Sequence, residues 1–199
     1  MDLSEDGKEV GTADPFLKKE ENSSARQRTR ILLRKTSRRN GNVEIRISVR
    51  SLVEFILRSG SIDNRKGAAP DNAMAEGGRI HRMIQRRMGS DYQAEVVMRY
   101  SWSTPAYDLV VEGRADGVIN GDVVTIDEIK GTYRDLEKMK EPVDVHLAQA
   151  KCYASMYARE HDSAQMKVRM TYCNMETEEL RYFVNTYQRA ELDEWFEAL

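Results

Sequence analysis

The sequence predicts an α/β protein built on a mixed β-sheet of about five strands flanked by helices. Five segments rich in β-branched and aromatic residues have the pattern of strands. Four other stretches repeat apolar residues at helical spacing, and the two kinds of segment are interleaved along the chain. This order of helices, three strands, a helix, two strands and a helix is typical of a sheet covered by helices.

The first predicted helix follows Ser48, a residue type that caps helices, and its apolar stripe runs from Val49 to Leu57. The segment 61–72 is rich in Gly, Asn, Asp and Pro, which predicts a loop. A second helix is expected over 74–88, because Gly89 and Ser90 follow it.

Three strands over 94–102, 107–119 and 122–130 are expected to form an antiparallel meander. Pro142 precedes a helix over 143–160, since proline is favoured at helix starts. The segments 166–174 and 179–187 have the pattern of a second strand pair, and a helix over 189–199 follows them.

Composition excludes several classes of protein. The chain has 199 residues and a net charge of −2. No apolar run approaches the roughly 20 residues that cross a bilayer, and the first residues lack the pattern of a secretory signal. We therefore expect a cytoplasmic protein that makes no membrane contact. Cys152 and Cys173 lack the spacing of a four-cysteine site, so we expect no iron–sulfur cluster, and the phosphate loop GxxxxGK[ST] of nucleotide-binding proteins is missing.

Charge is distributed unevenly along the first 42 residues. Residues 1–22 carry seven acids and three bases, whereas residues 23–42 carry seven bases and no acid. Such asymmetry predicts a disordered acidic-then-basic tail over 1–42, followed by one folded domain over 43–199. The basic half is either a solvated extension or an arm that follows the phosphates of a nucleic acid.

Two predicted strands carry a carboxylate and lysine pattern. Glu128 and Lys130 leave the same face of their strand, and Asp116 lies on the neighbouring strand. A two-residue turn at 120–121 would place Asp116 and Glu128 on opposite faces. A three-residue loop over 120–122, or a bulge, would instead place Ile126 opposite Asp116 and make Glu128 its diagonal neighbour. We predict the second arrangement, which would offer Mg²⁺ or Mn²⁺ two carboxylates.

Polar side chains also lie on two predicted helices. His81 shares one side of the second helix with Gly77 and Gly78, and His146, Gln149 and Tyr153 share one face of the helix after Pro142. Taken singly, each of these residues is as readily explained by packing or by solvent exposure as by a function.

Four motifs in order, GGRIH, GRAD, DEIK and QAKCY, resemble the RecB-like branch of the PD-(D/E)XK nuclease superfamily over residues 45–187. The resemblance implies a restriction-endonuclease-like fold and Mg²⁺ or Mn²⁺ as cofactor. It implies metal binding by His81, Asp116, Glu128 and the Ile129 carbonyl, catalysis by Asp116, Glu128 and Lys130, and a supporting or DNA-contacting role for Gln149 and Tyr153. Glu128 stands where many members of the superfamily have Asp.

Basic residues flank these motifs and would contact the DNA backbone, and the set comprises Arg79, Arg82, Arg86, Arg134 and Lys138. The expected partner is DNA, as single strands or double-stranded ends. The stretch that begins IRISVRSLVEF also resembles the nuclease region of bacterial nuclease–helicase fusion proteins. That resemblance implies either a helicase partner or a C-terminal helicase missing from this chain.

The leading hypothesis is therefore a metal-dependent DNA nuclease that acts with a helicase in DNA repair or recombination. A second hypothesis is a catalytically silent DNA-binding or helicase-docking module that retains the nuclease fold. A third is an unrelated α/β domain whose motif matches are accidental.

Overall fold

A computed structural model describes residues 35–39, 42–57 and 73–199 of the chain. Within them lies one seven-stranded sheet with four helices. The strands are β1 (Lys35–Arg39), β2 (Asn42–Ser48), β3 (Tyr92–Ser103), β4 (Tyr107–Ile119), β5 (Thr125–Thr132), β6 (Gln165–Asn174) and β7 (Leu180–Gln188). The helices are α1 (Val49–Ile56), α2 (Ala73–Arg86), α3 (Asp144–Glu160) and α4 (Arg189–Glu197).

The sheet mixes parallel and antiparallel pairs. Its order is β1-β2-β4-β5-β6-β7, and β3 pairs with β4 beside this path. The pairs β2–β4 and β5–β6 are parallel, and the other pairs are antiparallel. The predicted α/β class with a mixed sheet and flanking helices is therefore confirmed, with more strands than the five expected. An open sheet of this kind is consistent with a restriction-endonuclease-like arrangement.

The two additional strands come first in the chain. β2 occupies Asn42–Ser48, where Val43, Ile45 and Ile47 alternate with polar residues, and this period of two is that of a strand. β1 occupies Lys35–Arg39 and pairs with β2. Residues 35–39 thus belong to the sheet rather than to the disordered tail predicted through residue 42. The tail over 1–34 and the predicted loop over 61–72 lie outside the described residues.

Local signals fix the start of α1. The backbone N–H of Ser51 donates to the Ser48 hydroxyl at 3.1 Å, as a helix cap requires. The predicted cap at Ser48 is therefore confirmed. The predicted bounds of β4 agree with the structure, whereas β5 begins at Thr125 rather than at 122.

Helices cover both faces of the sheet. The larger apolar core lies between the sheet and the helices α1, α3 and α4, with Val53, Ala150, Met170 and Leu192 among its buried members. A smaller cluster joins Ile80 and Ile84 of α2 to Ile129 and Cys173. Cys152 and Cys173 are both buried free thiols. Consequently β5 is packed on both sides, which buries every residue from Ile126 to Ile129.

Across the three described ranges, none of the helices combines the length and the hydropathy that a bilayer crossing demands.

Candidate functional site

The sheet forks at β4, and the fork creates the candidate site. β3 pairs with one edge of β4 from Asp108 to Ile119. A strand has only two edges, so β2 and β5 must share the other edge, β2 along Tyr107–Glu112 and β5 along Gly117–Ile119. Residues 113–116 of β4 therefore lie between the end of one neighbour and the start of the next. Asp116 is the last residue of this interval.

The register of β4 and β5 decides whether Asp116 and Glu128 share a face. Ile119 pairs with Thr125 and Gly117 with Asp127, so the connecting loop has five residues, 120–124. The loop is odd in length, as predicted, but two residues longer than the predicted one. Continuing this register by one pair places Asp116 directly opposite Glu128 rather than diagonal to it. The Asp116 carboxylate accepts the backbone N–H of Ile129, the residue after Glu128, so the two carboxylates lie near each other at the fork.

Asp116 is held from two sides. One of its carboxylate oxygens, Oδ2, accepts the backbone N–H of Ile129 at 2.7 Å. The other, Oδ1, lies 3.2 Å from Nδ1 of His81 on α2. Burial lowers the pKa of His81, but the hydrogen bond to Asp116 and its negative charge outweigh that effect, so the pKa is raised overall. The fork thus brings together two of the predicted metal ligands, His81 and Asp116.

Glu128 is fully buried and only half satisfied. Its Oε1 accepts a hydrogen bond from Nζ of Lys130 at 2.7 Å, and Nζ also donates to Oε1 of Gln149 on α3 at 3.3 Å. The Glu128 Oε2 has no hydrogen-bond partner among the described residues. An orphaned carboxylate oxygen is costly in a protein interior, and a cation is the ligand that such an atom suits. The donor set therefore fits a hard divalent cation.

The surroundings of Glu128 disfavour its charged form. Burial raises its pKa to about 8, although the charge and the hydrogen bond of Lys130 oppose this rise. The negative charge of Asp116 raises the pKa further. Two carboxylates and a lysine thus lie close together at the fork.

Tyr153 braces the other side of the fork. Its hydroxyl accepts the backbone N–H of Arg114 at 3.2 Å, in the interval where β4 has no neighbouring strand on this edge. A Cβ on Gly113 would lie 2.5 Å from the same hydroxyl, so the tyrosine can approach only because residue 113 is glycine. Gln149 and Tyr153, predicted together from their helical spacing, both reach the site region from α3.

One residue at the site escapes sequence analysis. Glu95 of β3 has a backbone φ of 59°, in the left-handed region that glutamate rarely adopts. Its carboxylate can join His81 and Asp116 in a group whose ligand atoms all lie within 4.8 Å of one another. This group could hold a metal ion, and it does not include Glu128. Nothing in the segment AEVVM distinguishes Glu95 from an ordinary strand residue facing solvent.

Ile129 lies in the smaller core against Ile80 and Ile84. Its backbone N–H is committed to Asp116. Its carbonyl remains a predicted metal ligand.

The candidate DNA-contacting residues are distributed around the site with different partners. Arg79 pairs with Glu76 at 3.1 Å and Glu178 at 2.7 Å, and Lys138 pairs with Asp135 at 2.9 Å. Arg82, Arg86 and Arg134 are exposed. Burial and the positive charges of Lys130, Arg50 and Arg134 together lower the pKa of His146 on α3.

Comparison with known proteins supports the fold alone. No protein-family model and no curated protein matches the chain. Among solved structures, the protein SSO0001 superposes with a TM-score of 0.51 at 17% identity, covering 94% of this chain and 84% of its own. The two chains share a fold. A protein described as a "putative exonuclease" from Eubacterium rectale gives a TM-score of 0.35 at 14% identity over 64% of this chain and 48% of its own, which is too distant to carry an argument.

Proposed function

We propose that this chain is a Mg²⁺- or Mn²⁺-dependent deoxyribonuclease that hydrolyses phosphodiester bonds. The observation that carries the proposal is the buried Glu128 carboxylate, which has one oxygen on Lys130 and the other without a partner among the described residues, next to the residue whose amide Asp116 accepts. A scaffold without chemistry has no physical need for such a group, because burying an unsatisfied carboxylate destabilises a fold. The ordered resemblance to RecB-like nucleases gives independent support.

Each residue of the set has a role in this reaction. His81, Asp116 and Glu128 would hold the cation, with the Ile129 carbonyl as a further ligand, and Nδ1 of His81 lies 3.2 Å from Oδ1 of Asp116. A bound divalent cation supplies charge neutralisation at the phosphate and a water molecule of lowered pKa. Lys130 sits beside this position, where its ammonium can stabilise the negative charge that develops on the phosphate oxygens.

Gln149 fixes Lys130 from α3, because its Oε1 accepts a hydrogen bond from Nζ at 3.3 Å. Lys130 therefore has two acceptors, Glu128 and Gln149, that hold its long side chain in one position. Ordering the catalytic groups before substrate binds removes an entropic part of the barrier. Tyr153 contributes by closing the gap beside β4 rather than by touching the substrate.

Substrate binding would rely on phosphate contacts, which are independent of base sequence. The proposed rim comprises Arg79, Arg82, Arg86, Arg134 and Lys138. Arg79 and Lys138 already have carboxylate partners, so we expect the exposed Arg82, Arg86 and Arg134 to contribute more to binding. A helicase acting in the same repair or recombination pathway is part of the proposal, and it rests on the sequence resemblance alone.

The test is cleavage of end-labelled linear DNA and of circular DNA, each single- and double-stranded, with Mg²⁺, with Mn²⁺ and with a chelator. We expect wild type to cut in either metal, and Glu128→Gln and Lys130→Met to lose cutting. The matched controls are Glu112→Gln and Lys167→Met, which remove the same charges from β4 and β6 outside the site. Both controls should cut like wild type.

The outcomes separate the proposal from its alternative. Cutting that persists in Glu128→Gln at the wild-type rate would reject the assigned site. A folded wild type that binds DNA but cuts none of the four substrates would instead favour the silent DNA-binding or helicase-docking module.

A further inference from the structure

Exposed apolar side chains lie at the end of the sheet that is remote from Asp116. Trp102 of β3 is 51% exposed, Tyr107 of β4 is 40% exposed and Val43 of β2 is 40% exposed. Single apolar residues are common on protein surfaces, whereas a contiguous group of them marks a binding site. These three residues are called the aromatic surface below.

The strand register places the three side chains together on one face. Val43 pairs with Tyr107, and Trp102 pairs with Leu109, which is two residues further along β4. Residues two apart on a strand point to the same face, so the three side chains share the face of Leu109. Leu109 packs against the larger core. The aromatic surface therefore extends the core-facing side of the sheet to solvent.

The turn between β3 and β4 fixes the backbone of Tyr107. The Thr104 hydroxyl donates to the Tyr107 carbonyl at 2.9 Å, and the Thr104 backbone N–H donates to the same carbonyl at 2.8 Å. The backbone N–H of Tyr107 donates in return to the Thr104 hydroxyl at 3.0 Å. This part of the aromatic surface is thus ordered before a ligand arrives, which reduces the entropy lost on binding.

Positive charge adjoins the aromatic surface on β1. This strand carries three basic residues and no acidic one, namely Lys35, Arg38 and Arg39. Arg38 is the register partner of Val43, so β1 borders the aromatic surface directly. The strand belongs to the basic segment 23–42, whose seven bases have no role in the proposed cleavage site.

Negative charge is directed to the other side of the sheet. Glu44 follows Val43 on β2, Asp108 follows Tyr107 on β4, and the two acidic residues pair with each other. Because consecutive strand residues alternate between faces, these carboxylates leave the face opposite the aromatic surface. The aromatic surface thus combines rings with neighbouring positive charge, which is complementary to a polyanion that carries flat apolar groups.

Single-stranded nucleic acid is the ligand with these properties. Its bases are unpaired, so an aromatic ring can stack on their faces while Lys and Arg neutralise the phosphates. Exposed aromatic residues on a sheet, beside basic residues, are a general means of binding such strands. A duplex offers no free base faces along its length, and an apolar protein partner has no use for the charge of β1.

We propose that the aromatic surface and β1 form a binding site for single-stranded DNA, separate from the cleavage site. Leu109, the partner of Trp102, lies seven residues from Asp116 on β4, or about 23 Å at roughly 3.3 Å per residue. Bases stack on Trp102 and Tyr107, and phosphates lie near the basic residues of β1. The site rests on the geometry above, whereas the choice of DNA over RNA rests on the proposed function.

The test uses the fluorescence of Trp102 in the full chain. The chain has two tryptophans, and Trp195→Phe leaves Trp102 as the only one. In a chelator, which prevents metal-dependent cutting, an oligothymidylate of about 15 nucleotides should quench this fluorescence, because a stacked base contacts the ring. A duplex of the same length should not quench it. Trp102→Phe, in which Trp195 is the only tryptophan, is the matched control and should show no quenching.

Binding affinity is the second readout, measured by fluorescence anisotropy of the labelled oligothymidylate. Trp102→Ala and Tyr107→Ala should each weaken binding at least about fivefold, since each removes a stacking ring. Tyr182→Ala is the matched control and should bind like wild type, because Tyr182 is 47% exposed on β7, at the other end of the strand order from β1. Arg38→Gln should lower the slope of log Kd against log salt concentration by about 0.7, the value for one phosphate of a single strand.

Four results would overturn the proposal. Unchanged Trp102 fluorescence, with or without binding by anisotropy, would show that no base stacks there. Equal quenching by the duplex would show that unpaired bases are not what the surface binds. Tighter binding of oligouridylate than of oligothymidylate would reject DNA as the ligand. A dimer in sedimentation that dissociates in Trp102→Ala, without quenching by DNA, would identify the aromatic surface as an interface between copies of this chain.

Failure of this inference is distinguishable from failure of the proposed nuclease. Glu128→Gln should keep the wild-type quenching, because Glu128 lies outside the aromatic surface. If Trp102 is quenched and no DNA is cut, the single-strand site stands and the nuclease does not. If DNA is cut and Trp102 is not quenched, the nuclease stands and the single-strand site is overturned.

Discussion

Asp127 and Glu128 are consecutive residues of β5, both fully buried, and they face opposite sides of the sheet. Asp127 accepts two hydrogen bonds from Arg169, at 2.9 and 2.8 Å, one from the Thr171 hydroxyl at 2.5 Å and one from the Tyr92 hydroxyl at 3.2 Å. Glu128 accepts one hydrogen bond, from Lys130, and its second oxygen has no partner within the described part of the chain.

The difference separates a structural carboxylate from a functional one. A buried charge that is fully paired joins strands, and removing one partner leaves the other uncompensated. A buried charge that is half paired destabilises the free protein and is suited to a ligand that completes it. Burial alone does not distinguish the two residues, whereas the count of hydrogen-bond partners does.

The largest expected effect is on cutting by Glu128→Gln. The substitution removes a charge from the cation position while keeping the shape of the side chain, so we expect the rate to fall at least about 1000-fold, as for loss of several kcal/mol of transition-state stabilisation. When a chelator keeps the protein metal-free, the free energy of unfolding should change by no more than about 1 kcal/mol. The substitution removes a buried charge that has an unsatisfied oxygen, so little stabilisation is lost with it. Single-turnover cleavage and urea unfolding measure the two quantities.

The reverse pattern is expected for Asp127→Asn. Arg169, which is largely buried, would lose its counter-charge, so the unfolding free energy should fall by about 3 kcal/mol. Below the lowered unfolding temperature, Mn²⁺ binding should persist, since the Asp127 carboxylate bonds Arg169, Thr171 and Tyr92 and none of the proposed ligand side chains. A variant that loses Mn²⁺ binding but keeps wild-type stability would invert the comparison.

A smaller effect is expected where Tyr92 packs against β4. A Cβ on Gly117 would lie 2.0 Å from the Tyr92 hydroxyl oxygen, so Gly117→Ala must displace the ring and its hydrogen bond to Asp127. We expect a loss of about 2 kcal/mol of unfolding free energy. In a double-mutant cycle with Tyr92→Phe, the two losses should be less than additive, because both remove the same contact. Strict additivity would show that Tyr92 does not support Asp127.

The last effect is confined to acidic pH and concerns His146 of α3. Burial lowers the pKa of His146 to about 4, and the positive charge of Lys130 lowers it further. The unfolded chain takes up this proton near pH 6.5, so the unfolding free energy should fall as pH drops from 6.5 to about 4, by less than about 1.4 kcal/mol per pH unit. His146→Gln should flatten that part of the profile. An unchanged profile would contradict the assignment.

The local sequence pattern was sufficient to predict part of the fold and part of the site. The turn residues on either side of β4 predicted its bounds, and the two-residue spacing of Glu128 and Lys130 placed both side chains on one face. The odd parity of the β4–β5 loop followed from the requirement that Asp116 join them. The length of that loop did not follow, because any odd length satisfies the same parity.

The remaining features depend on distant parts of the chain. β1 was missed because a strongly basic composition resembles a tail until a partner strand is known, whereas β2 lay inside the predicted domain and its alternation was not recognised as a strand. Asp127 meets Arg169 from 42 residues away, and no local pattern distinguishes this aspartate from its neighbour Glu128. Glu95 reaches the site only through a left-handed residue in β3, and a glutamate carries no sequence signal for that conformation.

The hydrogen bond from the Ile129 amide to Asp116 gives the site a built-in reporter. This amide belongs to a buried strand, yet its acceptor is a carboxylate rather than another backbone. Its exchange with deuterated solvent depends on whether that carboxylate stays in place. The exchange rate of the Ile129 amide therefore reports whether the Asp116 side chain has moved. Amides elsewhere in β5, bonded to neighbouring strands, provide the internal reference.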